Sequence, residues 1–161
     1  MYHTQEKRKV RLVSPVKCNR CDAWLGHGYY FWDDYDDAFI WGKKSKNKTG
    51  VFEIYKSIIN TENFLNTVFD EKGYNFYKKQ IEKIGGSILK NTGCKATVED
   101  VCAFINDKAK WNETLDGILF QDLPIGSDIL INRYPYRKRI QAVVYNIDCI
   151  KEFSFYDEIN V

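Results

Sequence analysis

At 161 residues the chain is long enough to bury a sizeable core and short enough for one domain spanning 1–161. With 44% hydrophobic and 29% charged residues its composition is that of a globular protein, which excludes a disordered chain. The net charge of +2 is too small to imply a nucleic-acid or membrane partner by itself.

Five cysteines, an odd number, and the charge of the first residues point to free thiols in a reducing, cytoplasmic setting without a leader peptide. Cys18-Asn19-Arg20-Cys21 is a C-x-x-C without a second pair at zinc-ribbon spacing, so no metal site is assigned and the role of the pair stays open. No apolar run approaches membrane-spanning length. Aromatics reach 16%, which suits either a ring-lined pocket or a ring-filled core.

In chain order, Tyr2-His3-Thr4 precedes a basic, polar stretch, and Val10–Val16 is β-branched enough for a strand or extended segment broken at Pro15. Residues 25–42 follow as the most distinctive unit. Gly26 and Gly28 flank His27 and allow a tight turn with the backbone close to a ligand. Tyr29–Trp32 is a strand-like aromatic run. Asp33 or Asp34 then caps a helix carrying Ala38, Phe39 and Trp41.

Lys43–Gly50 reads as a solvated basic loop, and Val51–Ile59 as a buried strand. Tyr74, Tyr77, Ile81 and Ile84 predict an amphipathic helix over Phe69–Ile84, stopped by Gly85-Gly86. Thr97-Val98-Glu99-Asp100 has a capping-box pattern and starts a second helix closing near Trp111. From Gly117 the pattern turns to short strands: Gly117–Gln121, Asp128–Ile131, Ile140–Ile147 and Phe153–Tyr156. Strands, then helices, then strands predict an α+β fold whose last strands return to pair with the first.

Three separated segments together resemble the ADP-ribosyltransferase superfamily, in its poly(ADP-ribose)-polymerase-like, His-Tyr-Glu branch. Tyr2-His3-Thr4 is similar to the branch's opening Tyr/Trp-His-Gly strand, and Gly26-His27-Gly28-Tyr29-Tyr30-Phe31 to its Gly-x-Gly-x-Tyr-Phe. Gln141-Ala142-Val143-Val144-Tyr145-Asn146-Ile147 is similar to its final Glu-Tyr-x-Val-Tyr strand. The resemblance implies a split β-sheet core with helices inserted between the N-terminal and C-terminal strands. It also implies NAD as co-substrate, with ADP-ribose transferred to a macromolecule.

On that resemblance His3 would hold a ribose hydroxyl on the adenosine side of NAD, the backbone of Thr4 would grip the nicotinamide amide, Gly28 would belong to the cofactor-binding set, and Tyr30 would stack on the ring. Phe39 or Trp41 would form the other wall. His3, Tyr30 and Gln141 would be the catalytic set. The chain departs from the family's pattern twice: Thr4 stands for glycine and Gln141 for the catalytic glutamate. A glutamine amide can hydrogen-bond a ribose hydroxyl but brings no charge to stabilise an oxocarbenium ion.

Just before it, Arg133, Arg137, Lys138 and Arg139 interleave with Tyr134 and Tyr136, a pattern suited to phosphates and bases. In the resembled fold this loop faces the acceptor, RNA, DNA or protein. A compact transferase of this kind would suit an intracellular toxin or phage-conflict factor with a neutralising antitoxin partner. Two other functions remain open from the sequence: a non-catalytic NAD or ADP-ribose binding module, and a cofactor-free nucleic-acid-binding domain using 133–139.

Overall fold

The computed structural model describes residues 1–46, 48–122 and 139–161. The predicted strand Asp128–Ile131 and the basic residues 133–138 lie outside them.

β1 (Tyr2–Glu6) runs between β2 (Tyr29–Trp32) and β3 (Val51–Ile59). With β4 (Phe64–Asn66), β5 (Gly117–Asp122), β6 (Arg139–Val144) and β7 (Ile150–Asn160), the described strands form a seven-stranded sheet in the order β4-β5-β6-β2-β1-β3-β7. β4 and β5 are parallel, whereas every other pairing is antiparallel. The C-terminal strands do return to the N-terminal ones: β6 pairs with β2 and β7 with β3.

The helices follow from local signals. α1 (Tyr35–Ser45) starts at Asp34, whose carboxylate accepts from the backbone N–H of Asp36. α3 (Val98–Ala103) has the predicted capping box between Thr97 and Asp100. It continues into a π-helical turn, Phe104–Lys108, before α4 (Trp111–Thr114).

α2 (Glu71–Thr92) corrects the sequence reading. It runs through Gly85-Gly86 and stops at Gly93, which takes the left-handed conformation with φ 73°. A glycine pair inside a helix costs about 2 kcal/mol of propensity. The Asp70 cap and the burial of Tyr77 and Ile84 help offset it. The Val10–Val16 stretch, expected as a strand or an extended segment, forms no strand. Its backbone donors go instead to side chains: Leu12 N–H to the Tyr55 hydroxyl and Val16 N–H to the His3 ring.

Side chains alternate across the sheet, so Tyr30 and Trp32 on β2 share a face with Gln141 and Val143 on β6. On that face Val143 and Ile118 pack with Tyr77, Ile105 and Trp111 of the later helices. α1 packs separately on Trp32, Phe52 and Ile54 through Ala38. The opposite face carries Phe31, Ala142 and Val144, covered by Ile59, Ile150 and Phe153. Among the described residues no helix is long and apolar enough to cross a membrane.

Candidate functional site

The sheet has one weak joint. β1 pairs with β3 from Tyr2↔Lys56 to Glu6↔Phe52, but with β2 only at Tyr2↔Trp32. A cavity of about 300 Å³ opens beside this joint. His3, Thr4, Tyr30, Trp32, Trp41 and Gln141 all contribute to its wall.

Thr4 is two residues beyond Tyr2 and so shares the face of Trp32, Tyr30 and Gln141; its hydroxyl donates to the Ala38 carbonyl of α1 at 3.0 Å. His3 belongs to the other face, where its ring lies against Phe31 and Phe153. Both sets meet in one cavity because the two strands share a single register pair.

His3 is only 5% exposed and fully engaged. Its Nδ1 lies 2.9 Å from the Tyr30 carbonyl oxygen, and its Nε2 is 3.3 Å from Val16 N. A carbonyl can only accept and a backbone N–H can only donate, so Nδ1 carries the proton and Nε2 is an acceptor. Burial pushes the imidazole pKa down to about 4, against a smaller upward effect of the Tyr30 carbonyl, so the ring is neutral at physiological pH.

Tyr30 is fixed by its own turn. Its hydroxyl donates to the Gly26 carbonyl at 2.7 Å and accepts from Leu25 N–H at 3.2 Å. Desolvation raises its pKa. The double-glycine turn makes this possible: Gly26 has φ 80°, and a Cβ on Gly28 would fall 2.5 Å from the Val143 side chain and 2.9 Å from the Val144 oxygen. Gly28 therefore shapes the site from behind, bonded to Cys18 through both backbone groups, while its neighbour two positions on faces the cavity.

Gln141 is 5% exposed, and its Oε1 has no hydrogen-bond partner among the described residues. A buried amide oxygen left unsatisfied beside a cavity is poised to accept from a ligand. Trp41 lines the cavity and tilts against Trp32 at 6.0 Å. Phe39 does not reach it. One helical position pair away, it packs on Phe52 and Tyr35, with the Lys43 ammonium over its ring.

Compared with known proteins, the chain matches no family model, no curated protein and no solved structure. The reading of the cavity therefore stands on its geometry.

Of the basic segment, Arg139 alone falls within the described residues. It is 6% exposed, with Nε 3.5 Å from Asp37, Nη2 3.7 Å from Asp122 and its guanidinium over the Trp32 ring. A residue so enclosed holds α1 and Trp32 in place; it does not present a charge to a macromolecular acceptor. Arg133, Tyr134, Tyr136 and Arg137 lie outside the described residues.

The sequence reading missed Trp32, Lys17, Arg20 and Lys46, which also line the cavity. Trp32 was legible, since it is two positions from Tyr30 and must share its face. The cations carried no local signal. A larger, open cavity of about 830 Å³ shares the Trp24 wall and is otherwise lined by Phe69, Tyr74, Phe120 and Asp122 among others.

Proposed function

We propose that the chain is an NAD-dependent mono-ADP-ribosyltransferase with the split-sheet architecture of that superfamily, acting on a macromolecular acceptor. The observation that carries the reading is the convergence of His3, Tyr30 and Gln141 on one cavity. They come from three segments far apart in sequence, and Gln141 brings a buried oxygen without a partner among the described residues.

In this reading the nicotinamide ring lies against Tyr30, with Trp32 and Trp41 completing the slot. Its amide meets the backbone near Thr4. A ribose hydroxyl takes the place of Val16 N–H as donor to His3 Nε2, and a second donates to Gln141 Oε1. In the transfer the bond from ribose C1′ to the nicotinamide nitrogen breaks with its electron pair moving to the ring. A new bond forms from C1′ to the acceptor nucleophile, whose proton passes to water. The enzyme's task is to stabilise the oxocarbenium character between these events.

A second reading is a non-catalytic NAD or ADP-ribose binding module. It is favoured by the electrostatics of the wall: Gln141 is neutral, and Asp22, the carboxylate found there among the described residues, is paired with Arg20. Labelled NAD incubated with purified protein and cell lysate separates the two. Transfer of label that is lost in Gln141→Leu supports the enzyme, and a marked gain of NAD cleavage in Gln141→Glu identifies the glutamine as the attenuating residue. NAD binding by calorimetry without transfer in either form supports the module. Absence of NAD binding sinks both.

A further inference from the structure

The cavity is sharply sided in charge. Its inner wall is neutral: His3 without its second proton, Thr4, Tyr30, Trp32 and Gln141. Lys17, Arg20 and Lys46 stand on the part contributed by the segment after β1 and the end of α1, against Asp22. Arg20 and Asp22 satisfy one another through two hydrogen bonds. Glu6, the acid whose charge acts on Lys46, accepts instead from Lys48 N–H and from the backbone and hydroxyl of Thr49. Lys46 and Lys17 make no ion pair with any described residue.

Lys46 is the telling one. It is half-buried where α1 ends, its backbone N–H bonded to the Gly42 carbonyl. Burial pulls its pKa down, against the raising effects of Glu6 and Cys18 and with smaller lowering effects of Arg20 and Lys48. A partly desolvated ammonium without an ion pair among the described residues is stabilised when an anion joins it. Meanwhile the buried Gln141 Oε1 stands at the inner wall without a hydrogen-bond donor among the described residues.

Size then orders the ligand. A cavity of about 300 Å³ is at the small end of ligand pockets and holds a ring and a sugar, not two nucleosides. The rest of a dinucleotide seated with one ring against Tyr30 lies outside that volume, and the exposed Lys17 and half-buried Lys46 are the cations of the wall free to meet its phosphates.

We infer that Lys46 and Lys17 form an anion subsite at the rim of the cavity that holds the diphosphate bridge of the dinucleotide. The assignment rests on the NAD reading for its ligand, but not for its charge. Lysine suits the task as a mobile point charge that follows either phosphate.

Calorimetry with three probes, inorganic pyrophosphate, NAD and nicotinamide riboside, tests it on the full chain, Lys46→Ala, Lys17→Ala and the exposed control Lys90→Ala. Lys46→Ala is expected to weaken NAD and pyrophosphate about tenfold or more, and Lys17→Ala less. Nicotinamide riboside, which has no phosphate bridge, should bind all four proteins alike. Pyrophosphate bound through Lys46 with no NAD binding upholds the subsite and removes the NAD reading. NAD bound equally by wild type and Lys46→Ala overturns the subsite and leaves that reading intact. Binding of neither phosphate-bearing probe overturns both.

Discussion

The two sides of β1 differ in how they satisfy the strand. Toward β3 the partners are backbone groups, in unbroken register from Tyr2↔Lys56 to Glu6↔Phe52. Toward β2 the register is a single pair, and beyond it a side chain takes over: His3 Nδ1–H reaches the Tyr30 carbonyl. A ladder leaves no room and needs no particular residue. A gap bridged by side chains needs those residues and leaves a cavity. The open side is thus where sequence identity matters most, and Gln141 Oε1 is buried beside it without a partner among the described residues.

The largest effect should come from removing the brace behind the open side. Arg139→Ala takes the guanidinium from between Asp37, Asp122 and Trp32, and should lower stability by about 3 kcal/mol in denaturant unfolding. A change within about 0.5 kcal/mol, as at an ordinary surface site, would mean the brace is idle.

Acid should act on the same side. His3 has a pKa of about 4 in the folded chain, below its usual 6.5, so the unfolded chain binds more protons between those values. Stability is therefore complete above pH 6.5 and is lost as pH falls toward 4, by about 3 kcal/mol in all. Lys46 and Arg8 add to the penalty on the charged ring. Thermal melts across this window should slope in the wild type, and the difference curve against His3→Asn should isolate the histidine.

Tyr30→Phe tests the turn alone. It keeps the ring but drops the hydroxyl bonds to Gly26 and Leu25, which should lower stability by about 1–2 kcal/mol. Nicotinamide riboside affinity should fall only through loosening of the ring.

The smallest effect carries the opposite sign. Gln141→Met replaces a buried amide whose Oε1 lacks a partner among the described residues with an apolar chain of similar length and should raise stability by about 1 kcal/mol, while ligand binding is lost. The same gain together with undiminished NAD binding would show that the amide oxygen has no ligand to serve.

Much of the fold was readable without coordinates because it rests on neighbours in the chain. Val51–Ile59 announces a buried strand by composition, and Asp34 and Thr97 announce helix starts by the orphan N–H groups they satisfy. The α+β order of elements and the return of the late strands to the early ones were legible on the same grounds. So was the shared cavity of His3, Tyr30 and Gln141, but only as an expectation drawn from a resemblance.

What the chain could not announce are the contacts made through space. α2 passes Gly85-Gly86 because Asp70 caps it and Tyr77 and Ile84 are buried, and β4 exists because β5 lies alongside to pair with it. Phe39 turns from the cavity because Phe52 and Tyr35 receive it, and Arg139 is withdrawn from solvent by Asp37, Asp122 and Trp32. Local sequence sets a residue's torsional preference and its period. Which neighbour fills the space beside it, and which charge loses its water, is decided only when distant segments pack.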